Sequence, residues 1–302
     1  MILAEGLKNQ SLSANLKHFI VIMISNFHCH TSFCDGVATV AEVAAAARQQ
    51  QLTSLGISSH APLPTKTTWS MATEDLPVYL QQIAALKNTS ATQLYAGLEV
   101  DYMPHKTGPE KFRGQVDYII GSIHFVEAFA NGIGWEIDGP NDFFQQGLDE
   151  IFKGNLREAV CRYFELTREM VSHSRPDIVG HLDKIKLQNS YAPYFDEADK
   201  WYQQQVVQTL ACIEKYGCMI EVNTRGLYQR KTTEPYPSAW ALEKILSMKI
   251  PIVLNSDAHH PRDLLSGFEA ARALLQRIGF SHTQVLWNGT WLTSPLDAPA
   301  LS

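Results

Sequence analysis

Cysteine is scarce in this chain of 302 residues: five are present (Cys29, Cys34, Cys161, Cys212 and Cys218), an odd number with no CxxC spacing. That argues against a disulfide framework and fits free thiols in a reducing cytoplasm. Long apolar runs are missing as well. The stretch Phe19 to Ile24 is too short to span a bilayer and leads directly into His28-Cys29-His30. Cleavage there as a signal peptide would destroy the first strand, so a soluble protein without a membrane partner is expected. Positive charge is not in excess, with 25 Lys and Arg against 31 Asp and Glu and a net charge of -6. Such a balance gives no general attraction to nucleic acid or anionic membranes. No GxSxG or P-loop pattern supplies a nucleophile or a phosphate cradle, and no internal repeat, low-complexity segment or linker divides the chain.

What the sequence does have is a recurrent pairing of apolar runs with metal-binding residues. With 45% apolar residues the chain can bury a large core, and a barrel of this length is normally one domain. Six strand-like runs end in a candidate ligand: His28 with His30, His60, Glu99, His124, His181, and Asp257 with His259. Six of the eleven histidines therefore fall at carboxyl ends of predicted strands, while His18, His105, His173, His260 and His282 do not. Residues i and i+2 of a strand share a face, so His28 and His30 present two imidazoles to one side, as Asp257 and His259 present a pair. Ligands so dispersed converge only if the fold gathers one end of its strands, as a parallel β/α barrel does. Imidazole and carboxylate suit hard and borderline divalent metals. The pattern reads as a multi-metal hydrolase.

The elements between the ligands alternate. Strands are predicted at 19–27, 53–59, 93–100, 116–124, 177–182, 218–223 and 251–256, with a β-like stretch at 284–292. Thr39 and Glu42 form a capping box ahead of an alanine-rich helix running to Gln51. Further helices are expected at 74–87, 141–152, 155–173, 196–216, 237–248 and 264–278, the last stopped by Gly279. The segment 61–72 reads as a loop over the site, and 126–155 as turns around its short helix. Seven strands alternating with helices argue for an α/β fold with a parallel sheet closed, or nearly closed, into a barrel. Residues 1–18 look like a dispensable extension, leaving 19–302 as a single domain, and Met23 is a natural alternative start.

NFHCHTSFCDG, GISSHAP, GLEVDY, GSIHF, VGHLDKIK and NSDAHHPRDL resemble the motifs of the PHP (polymerase and histidinol phosphatase) superfamily, in particular its monofunctional histidinol-phosphate phosphatases. The likeness runs from about residue 26 to 280. It implies a distorted (β/α)7 TIM-like barrel holding two to three divalent ions (Zn, Fe or Mn). On that pattern, His28, His30, Glu99 and Asp257 bind one ion, while His124 and His181 bind a second that Glu99 bridges. Asp35, His60 and His259 bind a third. Glu99, Asp257 and His259 are then the residues expected to carry catalysis. A bridging carboxylate holds two ions roughly 3.5–4 Å apart. Water between them deprotonates near neutral pH and can attack phosphorus in line, with the metals neutralising the phosphoryl oxygens.

The substrate implied is L-histidinol phosphate, with another small phosphate ester or a nucleic-acid end as the alternative and a non-catalytic binding module as a rival of another class. The acidic balance argues against polymeric nucleic acid. The EVNTRGLY and EPYPS segment resembles the region where an arginine contacts the substrate phosphate, making Arg225, Arg230 and Arg262 the candidates. Acidic residues in the 61–75 loop and near Asp101 are open candidates for the substrate's amine.

Overall fold

The computed structural model describes residues 22–65, 67–87 and 91–296. The proposed extension 1–18 and the first part of the predicted strand 19–27 lie outside the described residues. In chain order the first half contains β1 (Ser25–Asn26), α1 (Val40–Gln49), β2 (Ser54–Ile57), α2 (Leu76–Lys87), β3 (Gln93–Asp101), β4 (Tyr118–Ser122), β5 (Phe125–Ala128), β6 (Gly134–Glu136), α3 (Asn141–Phe152) and α4 (Leu156–His173). The second half adds β7 (Ile178–Val179), α5 (Lys200–Tyr216), β8 (Met219–Asn223), α6 (Arg225–Tyr228), α7 (Ala239–Ser247), β9 (Ile252–Asn255), α8 (Phe268–Ile278), β10 (His282–Trp287) and β11 (Thr290–Pro295). None of the described helices is long and apolar enough to cross a membrane.

Seven strands form one parallel sheet in the order β1-β2-β3-β4-β7-β8-β9. β2, β8 and β9 are buried along their whole length, as strands covered on both faces must be. The two ends of the sheet meet through one parallel bridge, Cys29 with Ala258. Side chains complete the seam: the Phe27 N–H donates to Asn255 Oδ1 (2.8 Å), and Asn26 Nδ2 donates to Ser256 Oγ (2.8 Å). Buried backbone groups at an incomplete ladder need such partners. The result is the nearly closed barrel of seven parallel strands that the alternation predicted, in the distorted TIM-like form that the resemblance implied.

The barrel is filled by Phe27, Tyr95, Tyr118, Ile120, Ile178, Met219 and Val253. Tyr118 lies across its axis, donating to the Phe27 carbonyl at 2.6 Å. Glycine stands at positions 56 and 97 because a Cβ at either would lie 2.2 Å from the Tyr118 side chain. From the end opposite the ligands, Val285 and Leu286 of β10 enter the same cluster, and Trp291 packs edge-on to Phe27 with centroids 5.1 Å apart.

The helix predictions hold to within a few residues, including the Thr39–Glu42 capping box and the left-handed Gly279 that ends α8. Three strand readings need correction. The single stretch expected at 284–292 is a hairpin turning at Asn288-Gly289, both at positive φ, a pair suited to a two-residue turn. Within the region read as turns, β5 and β6 form a second hairpin, because Val126 and Trp135 bury into the core beside α3 and α4. The predicted strand 177–182 pairs only at Ile178–Val179, since His181 leaves the ladder and its N–H donates to Glu221 Oε2 at 2.8 Å.

The packing around Tyr118 generates a prediction. Gly97→Ala forces a methyl group against a ring locked by its own hydrogen bond. It should destabilise the protein by about 1–3 kcal/mol. Urea unfolding checks this, and an unchanged midpoint would show that the interior can yield.

Candidate metal centre

Each ligand position follows from how its strand ends. Past β1 the backbone alternates, sending His28 and His30 into the site with ring centroids 5.2 Å apart, while Cys29 joins the outer core. His60 follows β2 and bridges to Glu99 within β3, while His124 and His181 follow β4 and β7. After β9 the chain turns at Asp257, a non-glycine residue with φ 54°, a conformation that aspartate tolerates better than most and that recurs at functional sites. That turn brings Asp257 and His259 inward and sends His260 to cap the next turn, accepting from the Arg262 N–H. The loop after His30 supplies Asp35.

Glu99 lies at the centre. Its Oε2 is 3.1 Å from His28 Nε2, 3.1 Å from His60 Nδ1 and 3.5 Å from His30 Nε2. The other oxygen, Oε1, faces His181 Nε2 at 2.9 Å and His124 Nε2 at 3.7 Å. Asp257 Oδ1 is 3.2 Å from His30 Nε2, and Asp35 Oδ2 is 3.0 Å from His259 Nε2. Three groups have ligand atoms within 4.8 Å of one another: His28, His30 and Asp257; His60, Glu99 and His124; and His30, Asp35, His60 and His259. This overlaps the partition drawn from the resemblance. It differs in placing His60 beside Glu99 and His124 as well as beside Asp35, and His181 reaches the cluster through Glu99.

Without an ion this arrangement leaves His28 Nε2, His30 Nε2 and His60 Nδ1 buried with no hydrogen-bond partner among the described residues. Buried polar atoms are rarely left so. All three face a carboxylate, and mixed imidazole and carboxylate donors suit Zn, Fe or Mn. The site therefore fits divalent metal ions. Burial disfavours charge on His28, but Glu221, Glu99 and Asp257 outweigh it and raise its pKa well above the ordinary value. Burial pushes His30 the other way, reinforced by His259 and His60. Glu99, although desolvated, is held well below the usual carboxylate range by His28, His60 and His124. A metal entering the cluster displaces protons held there.

Two further carboxylates, Glu221 and Asp101, support the ligands. Glu221 is fully buried, and its two oxygens accept from His28 Nδ1 (2.6 Å), Asn255 Nδ2 (2.9 Å), the His181 N–H (2.8 Å) and Asn223 Nδ2 (3.0 Å). Asp101, considered for a substrate amine, instead accepts from His124 Nδ1 at 2.9 Å. Both carboxylates occupy Nδ1 and so turn Nε2 toward the cluster. The available signal was an acid flanked by apolar residues inside a predicted strand, Ile220-Glu221-Val222.

A cavity of about 160 Å³ lies over the cluster, lined by Asp35, His60, Glu99, His124, Asp257 and His259 together with Trp69, Glu136, Asp138, Gly139, Lys184 and Arg225. Arg225 opens α6, and its Nη1 donates to the Asp257 carbonyl at 2.7 Å and contacts His259 Nδ1. Arg230 and Arg262 do not line this cavity; both are exposed, Arg262 to 76%. Lys184, from the VGHLDKIK motif, is buried with Nζ 2.9 Å from Asp138 and 3.3 Å from His124 Nε2. Burial opposes its charge, but Asp138, Asp257 and Glu99 raise its pKa and keep it protonated. The acids of the 61–75 loop, Glu74 and Asp75, lie in the turn before α2 and do not reach the cavity.

Residues 26–225 match the PHP domain model. A curated protein of Deinococcus radiodurans, named "Probable histidinol-phosphatase", is 31% identical over 258 residues, covering 82% of this chain and 90% of its own. The histidinol-phosphatase of Bacillus subtilis is 26% identical over 263 residues, covering 80% of this chain and 96% of its own. The fold matches the histidinol phosphate phosphatase of Lactococcus lactis, solved with zinc, L-histidinol and phosphate, at a TM-score of 0.65 and 19% identity over 90% of this chain and 99% of that one. This chain belongs to the PHP domain family and is a hydrolase. Within that family its curated relatives are histidinol-phosphatases.

Glu221→Gln should weaken metal retention 10- to 100-fold, the usual cost of removing a partner that orients a ligating histidine. Chelator competition with circular dichroism as a fold control measures this. Unchanged metal affinity would mean that His28 is positioned without its charged partner.

Proposed function

We propose that this protein hydrolyses L-histidinol phosphate to L-histidinol and inorganic phosphate. The observation that carries the reading is the convergence of eight candidate ligands on Glu99, with Arg225 and Lys184 facing the same cavity. The relatives support the choice of ester. Two are named histidinol-phosphatases, and the Lactococcus structure holds zinc with both products of that reaction.

The ligand set has room for two to three divalent ions: His28, His30, Glu99 and Asp257 for one, Glu99 with His124 and His181 for another, and Asp35, His60 and His259 for a third. When bound, such ions lower the pKa of water and neutralise phosphoryl oxygens. The chain's own contribution is position and charge. Glu99 directs one oxygen to each side of the cluster and joins the sites into one unit. Arg225, held by the Asp257 carbonyl, presents its guanidinium to the cavity and binds the substrate phosphate. Lys184, fixed by Asp138, adds a second cation on the His124 side. Arg230 and Arg262, exposed and outside the cavity lining, are not given this role.

Phosphate release from a panel of monoesters by metal-reconstituted protein tests the reading. Histidinol phosphate should give the highest kcat/KM, and preference for another small ester or a nucleic-acid end would replace it. Glu99→Gln should abolish turnover while the fold survives, because it removes the one charge shared by both sides of the cluster; full activity in that variant would sink the bridging role. Arg225→Ala should lower kcat/KM about 10- to 100-fold, mainly through KM, with metal content retained, since a charge-assisted bond is worth roughly 1.5–3 kcal/mol. Arg225→Lys should recover only part, lacking the fork geometry. Wild-type kinetics in Arg225→Ala would leave phosphate binding to the metals and Lys184.

A further inference from the structure

The chain from Thr31 to Ala38 is a tight loop fastened on several sides. The Cys34 and Gly36 N–H groups both donate to the Thr31 carbonyl, at 2.9 and 3.1 Å. The Ser32 N–H donates to the Ala38 carbonyl at 2.8 Å, and the Val37 N–H reaches the His259 carbonyl at 2.9 Å. Thr31 Oγ1 lies 2.8 Å from Ser59 Oγ, which ties the loop to the residues after β2. Gly36 packs so closely that a Cβ there would lie 2.4 Å from the His30 carbonyl carbon. A loop held in this way delivers its side chains with fixed geometry.

One of those side chains is Cys34, a free and partly exposed thiol. Its Sγ lies 3.5 Å from His30 Nδ1 and 3.4 Å from the Thr31 carbonyl. A thiol is a weak donor and a weak acceptor, so the S–H can serve Thr31 while the sulfur accepts from the imidazole. Asp35 Oδ1 is also 3.5 Å from His30 Nδ1, past the roughly 2.7–3.2 Å of an N–H···O bond, whereas sulfur is larger and bonds at that range. Asp35 Oδ2 is engaged by His259 instead. Other ligand histidines meet oxygen at Nδ1: His28 meets Glu221, His124 meets Asp101, and His259 meets the Asp257 carbonyl. His30 meets sulfur.

His30 belongs to two of the three ligand groups, one with His28 and Asp257, the other with Asp35, His60 and His259. Its Nε2 is buried without a hydrogen-bond partner and faces Asp257 Oδ1 at 3.2 Å and Glu99 Oε2 at 3.5 Å. With those carboxylates already around the ring, a neutral acceptor at Nδ1 fixes its orientation without adding another anion to the cluster. We infer that Cys34 is a positioning residue of the metal centre: its thiol accepts from His30 Nδ1–H and holds Nε2 toward the cluster. The inference rests on the metal-binding reading of the site, and it concerns a residue that does not line the cavity.

The test compares full-length wild type, Cys34→Ala and Cys34→Ser. Zinc affinities come from competition with a chromogenic chelator, and the step lost in His181→Ala identifies the site on the His124 side. Cys34→Ala should weaken the remaining zinc steps about tenfold, the lower end of the usual loss when a partner orienting a ligating histidine is removed, and leave the His181 step within twofold. Cys34→Ser keeps an acceptor and should recover part of the affinity. Histidine-selective nitrogen NMR adds a readout that general loosening would not reproduce. In zinc-loaded wild type the His30 Nδ1 proton should be protected from exchange with water, and in Cys34→Ala it should exchange at least tenfold faster while the His28 and His124 signals stay in place. Zinc affinity within twofold of wild type, or equal weakening of every step, overturns the inference. A wild-type protein that retains no zinc refutes the metal reading instead. A His30 Nδ1 signal displaced in metal-free Cys34→Ala then still supports the orienting contact, and an undisplaced one overturns it.

Discussion

The site is organised along one buried line of contacts, from Glu221 through His28 to Glu99. His28 Nδ1 lies 2.6 Å from one carboxylate and Nε2 3.1 Å from the other, and none of the three side chains is more than 1% exposed. Two anions at that depth are tolerated only if their oxygens are met. Glu221 is met by four donors, drawn from β8, from the residue after β9's leucine, and from the ends of β1 and β7. Glu99 is met by Ser122 Oγ at 2.7 Å and by the imidazole ring around it. Satisfying Glu221 therefore ties four strand ends together, and the ligand geometry follows from where those ends are held.

The same requirement explains irregularities that would weaken an ordinary barrel. β7 pairs over only two residues because His181 donates to Glu221 rather than continuing the ladder. The seam between β1 and β9 carries one backbone bridge and is otherwise stitched by Asn26, Asn255 and Ser256. Asp257 adopts a left-handed backbone to turn its carboxylate and His259 inward. Each departure from sheet regularity sits at the metal-binding end. The opposite end is apolar and closed by the β10–β11 hairpin against Phe27 and Tyr118. Stability and chemistry thus occupy opposite ends of one barrel, as the fold class allows.

Much of this was legible because the signals are local. Period-two spacing in His28-Cys29-His30 and the recurrence of His, Glu and Asp after apolar runs located eight ligand candidates, Asp35 in its loop came only from the resemblance, and the alternation of elements gave seven parallel strands. The second-layer residues were less legible for a physical reason. Nothing in the sequence around Glu221 or Asp101 says which histidine nitrogen each will meet, since those partners lie 193 and 23 residues away. The NG turn at Asn288-Gly289 was a readable local signal that the expected single stretch overlooked. The β5–β6 hairpin depends on Trp135 finding a place beside Phe144 and Phe152, a contact made only when α3 docks.

By itself, the sequence determined the barrel class, most of the candidate ligands and the acidic character, because periodicity and residue chemistry act over a few positions or over the whole composition. Only the tertiary structure decided which cations line the cavity. In sequence Arg225 stands ahead of Arg230 and Arg262 only by its nearness to a strand end, whereas packing of α6 against Asp257 places it over the cavity while the other two face solvent. Tertiary structure likewise paired Lys184 with Asp138 and left Glu136 with a lone tryptophan donor. Charges gain or lose meaning through neighbours within a few ångströms, and those neighbours come from distant parts of the chain.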